Sequence, residues 1–150
     1  MKINNSFDIS SSALTAQRLR MDVISSNIAN AETTRASVVN GQAVPYRRKM
    51  VVLEPNQPSF AQVLQAQSSG QGLAGEGVKV SQIKEDVSPL KPVYNPSHPD
   101  ADKNGYVYMP NVDITKEMVD MISASRSYEA NVTALNASKA MVTKALEIGR

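Results

Sequence analysis

The 150-residue chain has no cysteine, no tryptophan, two phenylalanines and one histidine. Without thiols there are no disulfides, no thiolate nucleophile and no zinc–thiolate centre. So few aromatic rings exclude a large aromatic-rich core. A serine hydrolase triad would have to use His98 itself, since no other histidine can act as general base. No apolar run reaches the 18 residues that a membrane helix needs, so direct membrane insertion is not expected. Residues 1–30 hold no continuous hydrophobic region of the signal-peptide kind, so no cleavable signal is expected. Charge of one sign is also missing. Sixteen Lys and Arg face fourteen Asp and Glu, a net charge of +2, which excludes a dedicated nucleic-acid binder. An apolar content of 41% is too high for a wholly disordered chain. The length suits one domain, or a small domain with long appendages.

Residues 7–40 contain no Gly or Pro. Ser10, Ser11 and Ser12 offer N-caps, because a short hydroxyl can satisfy a free helix N–H. Leu14, Met21, Ile24 and Ile28, with Gln17, fill a 3-4 seam on one helix face. This predicts a helix over roughly residues 10–31, about 33 Å long at 1.5 Å per residue.

The middle changes character. Asn40-Gly41 between Val38-Val39 and Ala43-Val44 is a short-hairpin signal, since both residues tolerate positive φ. Tyr46 to Leu53 alternates as a strand, and Pro55 and Pro58 stop it. Phe60, Val63 and Leu64 permit one or two helical turns. Residues 68–77 hold four of the seven glycines and read as a flexible loop. Val78 to Lys84 is a further strand, the proline-rich stretch from Pro89 to Pro110 is extended and turn-rich, and Tyr106 to Met109 is a last short strand.

The third segment carries the strongest pattern. Asp113 can cap a helix after Pro110. From there Ile114, Met118, Met121, Ser125, Tyr128, Val132, Leu135, Lys139, Val142 and Leu146 follow one another in steps of four and three. Gly149 ends the helix. A seam repeating every 3.5 residues is a coiled-coil seam. Ser, Thr and Asn residues weaken intrinsic helix propensity along it, so alone in water the helix is marginal. The shorter N-terminal helix cannot cover its length. Ala124, Ala130, Ala134, Ala137 and Ala140 keep its flanks thin enough for close packing. The expected fold is therefore α+β: long N- and C-terminal helices pack as a coiled-coil-like pair, with an irregular β-rich insert between them. The boundaries read as 1–33, 34–110 with a flexible loop near 54–77, and 111–150. Such a chain is an assembly subunit before it is a free-standing domain.

Motifs that suggest other chemistry have simpler readings. Gly70-Gln-Gly72-Leu-Ala-Gly75 fits G-x-G-x-x-G, but a dinucleotide site needs a strand before it and a helix after it. Here the motif reads as linker. His98, Asp100 and Asp102 lack a fourth ligand and a second shell, and turn chemistry explains them. Arg47-Arg48-Lys49 project to both faces of a strand, as a solvated or interface strand does. Arg126 and Glu129 are spaced for an intrahelical pair and equally for pairing with another subunit. Met118 and Met121 read most simply as seam core. Asn27 and Asn30 suit either helix capping or hydrogen bonds that fix register between packed helices. No catalytic residue, cofactor, metal or small-molecule substrate is implied, so the chain reads as a non-enzyme.

Five stretches then carry a resemblance. Residues 22–34 (DVISSNIANAETT) resemble the N-terminal signature of bacterial flagellar rod and hook proteins. Residues 45–49 (PYRRK), 94–102 (YNPSHPDAD), 105–113 (GYVYMPNVD) and 117–131 (EMVDMISASRSYEAN) resemble the proximal-rod members of that family. The similarity runs nearly end to end and is weakest from Glu54 to Gly77. The Gly-Tyr-Lys turn of several sister rod proteins is replaced by Thr34-Arg35-Ala36-Ser37, which favours the proximal-rod group.

The resemblance implies a structural subunit of the proximal rod, the drive shaft carrying torque toward the hook. It implies passage through the flagellar type III export apparatus, residence in the basal-body rod within the periplasm, and contact with the membrane ring. Its partners would be copies of itself and neighbouring rod proteins. It favours the register reading of Asn27 and Asn30. The implied assembly interface comprises Leu14, Met21, Ile24, Asn27, Ile28, Asn30, Ile114, Met118, Met121, Tyr128, Val132, Leu135, Val142 and Leu146. Residues 1–33 and 111–150 are expected to order on assembly. The alternatives are a soluble coiled-coil adaptor forming a closed dimer, and a binding module built on the β insert.

Overall fold

The computed structural model describes residues 3–39, 42–57, 60–69 and 77–148. Helix α1 spans Ile3–Ala29, and two short strands follow, β1 (Ser37–Val39) and β2 (Gln42–Val44). Then come β3 (Lys49–Pro55), helix α2 (Phe60–Ser69), β4 (Val78–Glu85), β5 (Lys91–Tyr94), β6 (Tyr106–Met109) and helix α3 (Ile114–Ile148). Among the described residues the strands form three two-stranded sheets, β1–β2, β3–β4 and β5–β6. The fold is α+β, with a long helix toward each end and β-rich chain between them.

By internal contacts the chain divides into two compact units. One comprises Met1–Leu19, Val52–Gln82 and Ala124–Arg150, and the other Arg20–Val51 and Ile83–Ser123. Their interiors differ in kind. In the first unit the buried residues among those described are small: Ser10, Ala16 and Ala124. In the second they are Val23, Ile24, Pro45, Tyr46, Val107, Pro110 and Val112, together with Asn27 and Glu117.

Helix α1 starts seven residues before the expected Ser10, because nothing in residues 3–9 breaks a helix. The three serines lie inside it and do not cap it. Ser12 Oγ donates to Ile9 O at 2.7 Å, and Thr15 Oγ1 donates to Ser11 O at 3.0 Å, bonding back to the preceding turn as mid-helix hydroxyls do. The other end is closed by Asn30, whose Nδ2 donates to Ser26 O at 2.9 Å. Helix α3 begins as expected. Asp113 Oδ1 accepts from Thr115 N and Lys116 N at 3.1 and 3.4 Å, an N-cap. Its expected stop, Gly149, lies outside the described residues.

The hairpin register is Ser37↔Val44, Val38↔Ala43 and Val39↔Gln42, a two-residue connection as expected, although Asn40-Gly41 themselves lie outside the described residues. Strand β3 starts at Lys49, later than the expected Tyr46. The intervening backbone bonds elsewhere: Tyr46 N donates to Thr33 O at 3.1 Å and Arg48 N to Asn111 Oδ1 at 2.8 Å. Strand β5 was expected only as extended chain. It pairs antiparallel with β6, Pro92 opposite Tyr108, which a two-stranded ribbon tolerates because each strand has a free edge. Helix α2 is longer than the expected one or two turns. Most of the glycine-rich loop lies outside the described residues.

Two glycines are required by close approach. Gly105 has φ +78°, and a Cβ there would stand 3.0 Å from Tyr94 Cε2. A Cβ on Gly77 would meet Ser12 Oγ, the same oxygen that accepts the Val78 N–H at 3.1 Å. Gly77→Ala should therefore expel Ser12 and cost about 1 kcal/mol. In a double-mutant cycle by urea denaturation, most of that cost should vanish in a Ser12→Ala background.

Candidate assembly site

The second unit is organised around a buried amide. Asn27, on the last full turns of α1, is 1% exposed. Its Nδ2 donates to Lys49 O and to Glu117 Oε2, both at 2.9 Å. Its Oδ1 accepts from Lys49 N at 2.9 Å and from Tyr46 Oη at 3.0 Å. All four bonding positions of the amide are filled.

Glu117 is 0% exposed, a rare state for a glutamate without a partner. Arg48 Nε donates to its Oε1 at 2.5 Å. The same guanidinium reaches Asp120 Oδ2 at 3.2 Å and Asp86 Oδ2 at 3.9 Å. Asn111 Nδ2 donates to the Asp86 and Ser88 carbonyls at 3.2 and 3.3 Å. Asp86 is held below the usual carboxylate range first by the Ser88 hydroxyl, then by the Ser88 N–H, with Arg48 and Arg47 nearby. A planar five-donor group suits this hub, and lysine would not replace it.

This network sets the rotation of α3. With Glu117 turned inward, Met118, Val119 and Ile122 turn outward and are 54%, 61% and 61% exposed, and Ile114, the first residue of α3, is 45% exposed. The helix buries a carboxylate and shows hydrocarbon, the reverse of ordinary amphipathic placement. Met118 is therefore not core. Met121, Tyr128, Val132, Leu135 and Val142 are half-buried, and Leu146 is exposed. On α1, Ile24 is buried and Leu14, Met21 and Ile28 are half-buried.

The two asparagines divide the readings offered for them. Asn27 bonds across to α3, whereas Asn30 serves the local α1 terminus and accepts from Thr33 Oγ1 at 3.2 Å. Val119 and Ile122 lay outside the heptad seam. Their signal was present all the same: an apolar pair flanking Glu117 and Asp120, legible once one glutamate is assigned to the interior.

The remaining chemistry-bearing groups are engaged locally. His98 Nδ1 accepts the Asp100 N–H at 3.1 Å, a turn bond. Asp100 accepts from Thr34 Oγ1 at 2.9 Å and pairs with Arg35, tying the base of the β1–β2 hairpin to the 95–105 turn. Arg126 Nη1 and Glu129 Oε2 pair within α3 at 2.9 Å. Tyr94, Tyr106 and Tyr108 stand exposed on the β5–β6 hairpin, the first two edge to face with centroids 5.3 Å apart.

Residues 7–36 match the family described as flagella basal body rod protein. Residues 103–148 match the C-terminal family of flagellar basal body rod FlgEFG proteins. The chain is 62% identical over 146 residues to the flagellar basal-body rod protein FlgC of Bacillus subtilis, covering 97% of each chain. It is 47% identical to that of Borreliella burgdorferi over 99% of this chain and 98% of the relative. For the Escherichia coli O6:H1 protein the figures are 46% and the full length of both.

Asn27→Ala would strand Glu117, the Lys49 amide and Tyr46 Oη together. It should cost about 2–4 kcal/mol in chemical denaturation. The second expectation concerns acid. The hydrogen bond from Arg35, then that from Thr34, holds the Asp100 carboxyl below its usual range. A lowered folded pKa adds stability above the unfolded value, near pH 4. That stability is lost as pH falls through the lowered one. Carboxyl NMR titration should show Asp100 low in the native chain and moved up toward the usual range in Arg35→Ala, where the Thr34 bond still holds it partly down.

Proposed function

Because the chain belongs to the FlgC family of flagellar basal-body rod proteins, we infer that its outward apolar helix face is where neighbouring subunits dock. The protein is a structural subunit of the basal-body rod and works alongside other rod proteins. Its role is self-assembly, with no catalysis, nucleic acid, small-molecule substrate, cofactor or metal involved.

The observation that carries this reading is the inverted placement on α3, with Glu117 buried and Ile114, Met118, Val119 and Ile122 bare. Covering the half of each side chain left in water would contribute about 1 kcal/mol apiece. A folded monomer gains nothing from that surface, and a polymer does. The half-buried Leu14, Met21, Ile28, Tyr128, Val132, Leu135 and Val142, and the exposed Leu146, make coiled-coil contacts of their own between terminal helices of adjacent copies. Ile24 and Asn27 contribute from inside, holding α1 in place beneath that surface.

In this reading residues 1–33 and 111–150 are the axial segments and 34–110 the outer insert. The first unit, whose described buried side chains are all small, gains further burial on assembly. The subunit passes through the type III export apparatus, reaches the periplasmic part of the basal body, and joins the proximal rod near the membrane ring. The ring, other rod proteins and further copies of the chain are its partners, and no segment inserts directly into a membrane.

Met118→Asp tests the surface. Met118 is over half exposed, so circular dichroism of the purified chain should be unchanged. In a flagellated bacterium lacking its own copy, the variant should give no rods and no motility. Normal rods from the double variant Met118→Asp/Ile122→Asp would overturn the reading.

A further inference from the structure

The outward stripe needs a receptor, and the second unit carries a surface that fits it. A groove of about 470 Å³ lies between α1 and the β3–β4 ribbon, lined by Asp22, Val23, Ser26, Lys49, Ile83 and Glu85. All six belong to the same unit as the stripe. Val23 is buried at its floor, and Ile83 is 48% exposed. Around this hydrocarbon stand two carboxylates, Asp22 and Glu85, and one ammonium. Lys49 Nζ lies 5.6 Å from the centroid of the Tyr46 ring, so a cation–π contact steadies that charge.

The stripe carries the converse set. Val119 and Ile122 are bare, and Lys116 is exposed one helical turn before Val119. Hydrocarbon faces hydrocarbon, and one cation faces two anions.

We propose that the groove of one copy receives the α3 stripe of a second copy. Val119 and Ile122 seat against Val23 and Ile83, and Lys116 meets Asp22 and Glu85. Groove and stripe are different surfaces of one body, so the contact is heterologous. It propagates from copy to copy and does not close into a dimer. The proposal rests on the stripe being an assembly surface and adds what that surface meets.

The absence of cysteine makes disulfide cross-linking specific. Full-length chains carrying Ile83→Cys and Val119→Cys are expressed together in a flagellated bacterium lacking its own copy, and isolated basal bodies are oxidised. Disulfide dimers should form only when both are present, and a ladder when one chain carries both. Lys116→Glu should lower the yield about tenfold or more, and Asp22→Lys with Glu85→Lys should restore it. Dimers from Val119→Cys alone would mean stripe against stripe and overturn the proposal. It also falls if Met118→Asp blocks rod growth while no Ile83–Val119 link forms and Ile83→Glu chains still build rods. That result leaves the rod reading standing.

Discussion

One buried carboxylate governs the arrangement of the second unit. Glu117 lies on α3 with no measurable exposure, and a carboxylate there is tolerable only if its oxygens are met. Asn27 and Arg48 meet them. Asn27 in turn is fixed by both backbone groups of Lys49 and by the Tyr46 hydroxyl. A slip of one residue along either helix would leave several of these groups unpaired at once. The network therefore fixes the register of α1, the start of β3 and the first turns of α3 against one another. It supplies specificity where the apolar core is small.

The same network explains why hydrocarbon is left outside. A helix has one rotation. Turning Glu117 inward turns positions 118, 119 and 122 away from the interior, and those positions are Met, Val and Ile. In a monomeric enzyme such a choice would be a liability. In the proposed assembly it divides the labour, with a polar network that holds the folded body together and an apolar face left for joining bodies. The exposed Met118 suits this, because an unbranched thioether adapts to neighbours of different shape.

The β-rich part follows a related rule. Three two-stranded ribbons are each too small to be stable alone, and here side chains brace them. Arg35 and Thr34 on Asp100 brace the first hairpin, and Lys91 Nζ on the Val112 carbonyl, at 2.9 Å, braces the β5–β6 hairpin. Asn111 bridges the chain around Arg48 to that around Asp86. Asn, Asp and Arg carry the insert because a ribbon with few large apolar residues has little else to bury.

Local rules made much of this legible from residues alone. The Asp113 cap, the two-residue hairpin, the strand at Tyr106–Met109 and the long terminal helix each depend on near neighbours, and the chain alone determined them. The long motifs at both ends were equally local and carried the family. Contacts distant in sequence decided the rest. Periodicity placed Met118 in the seam, because a 3.5-residue repeat counts side chains and cannot see that Glu117 has partners 69 and 90 residues away. Ser10, Ser11 and Ser12 looked like caps until residues 3–9 continued the helix before them, and Ser12 found its second partner in Val78. Only the tertiary structure could choose the face of α3 that turns inward, because burying a charge depends on donors that arrive from elsewhere in the chain.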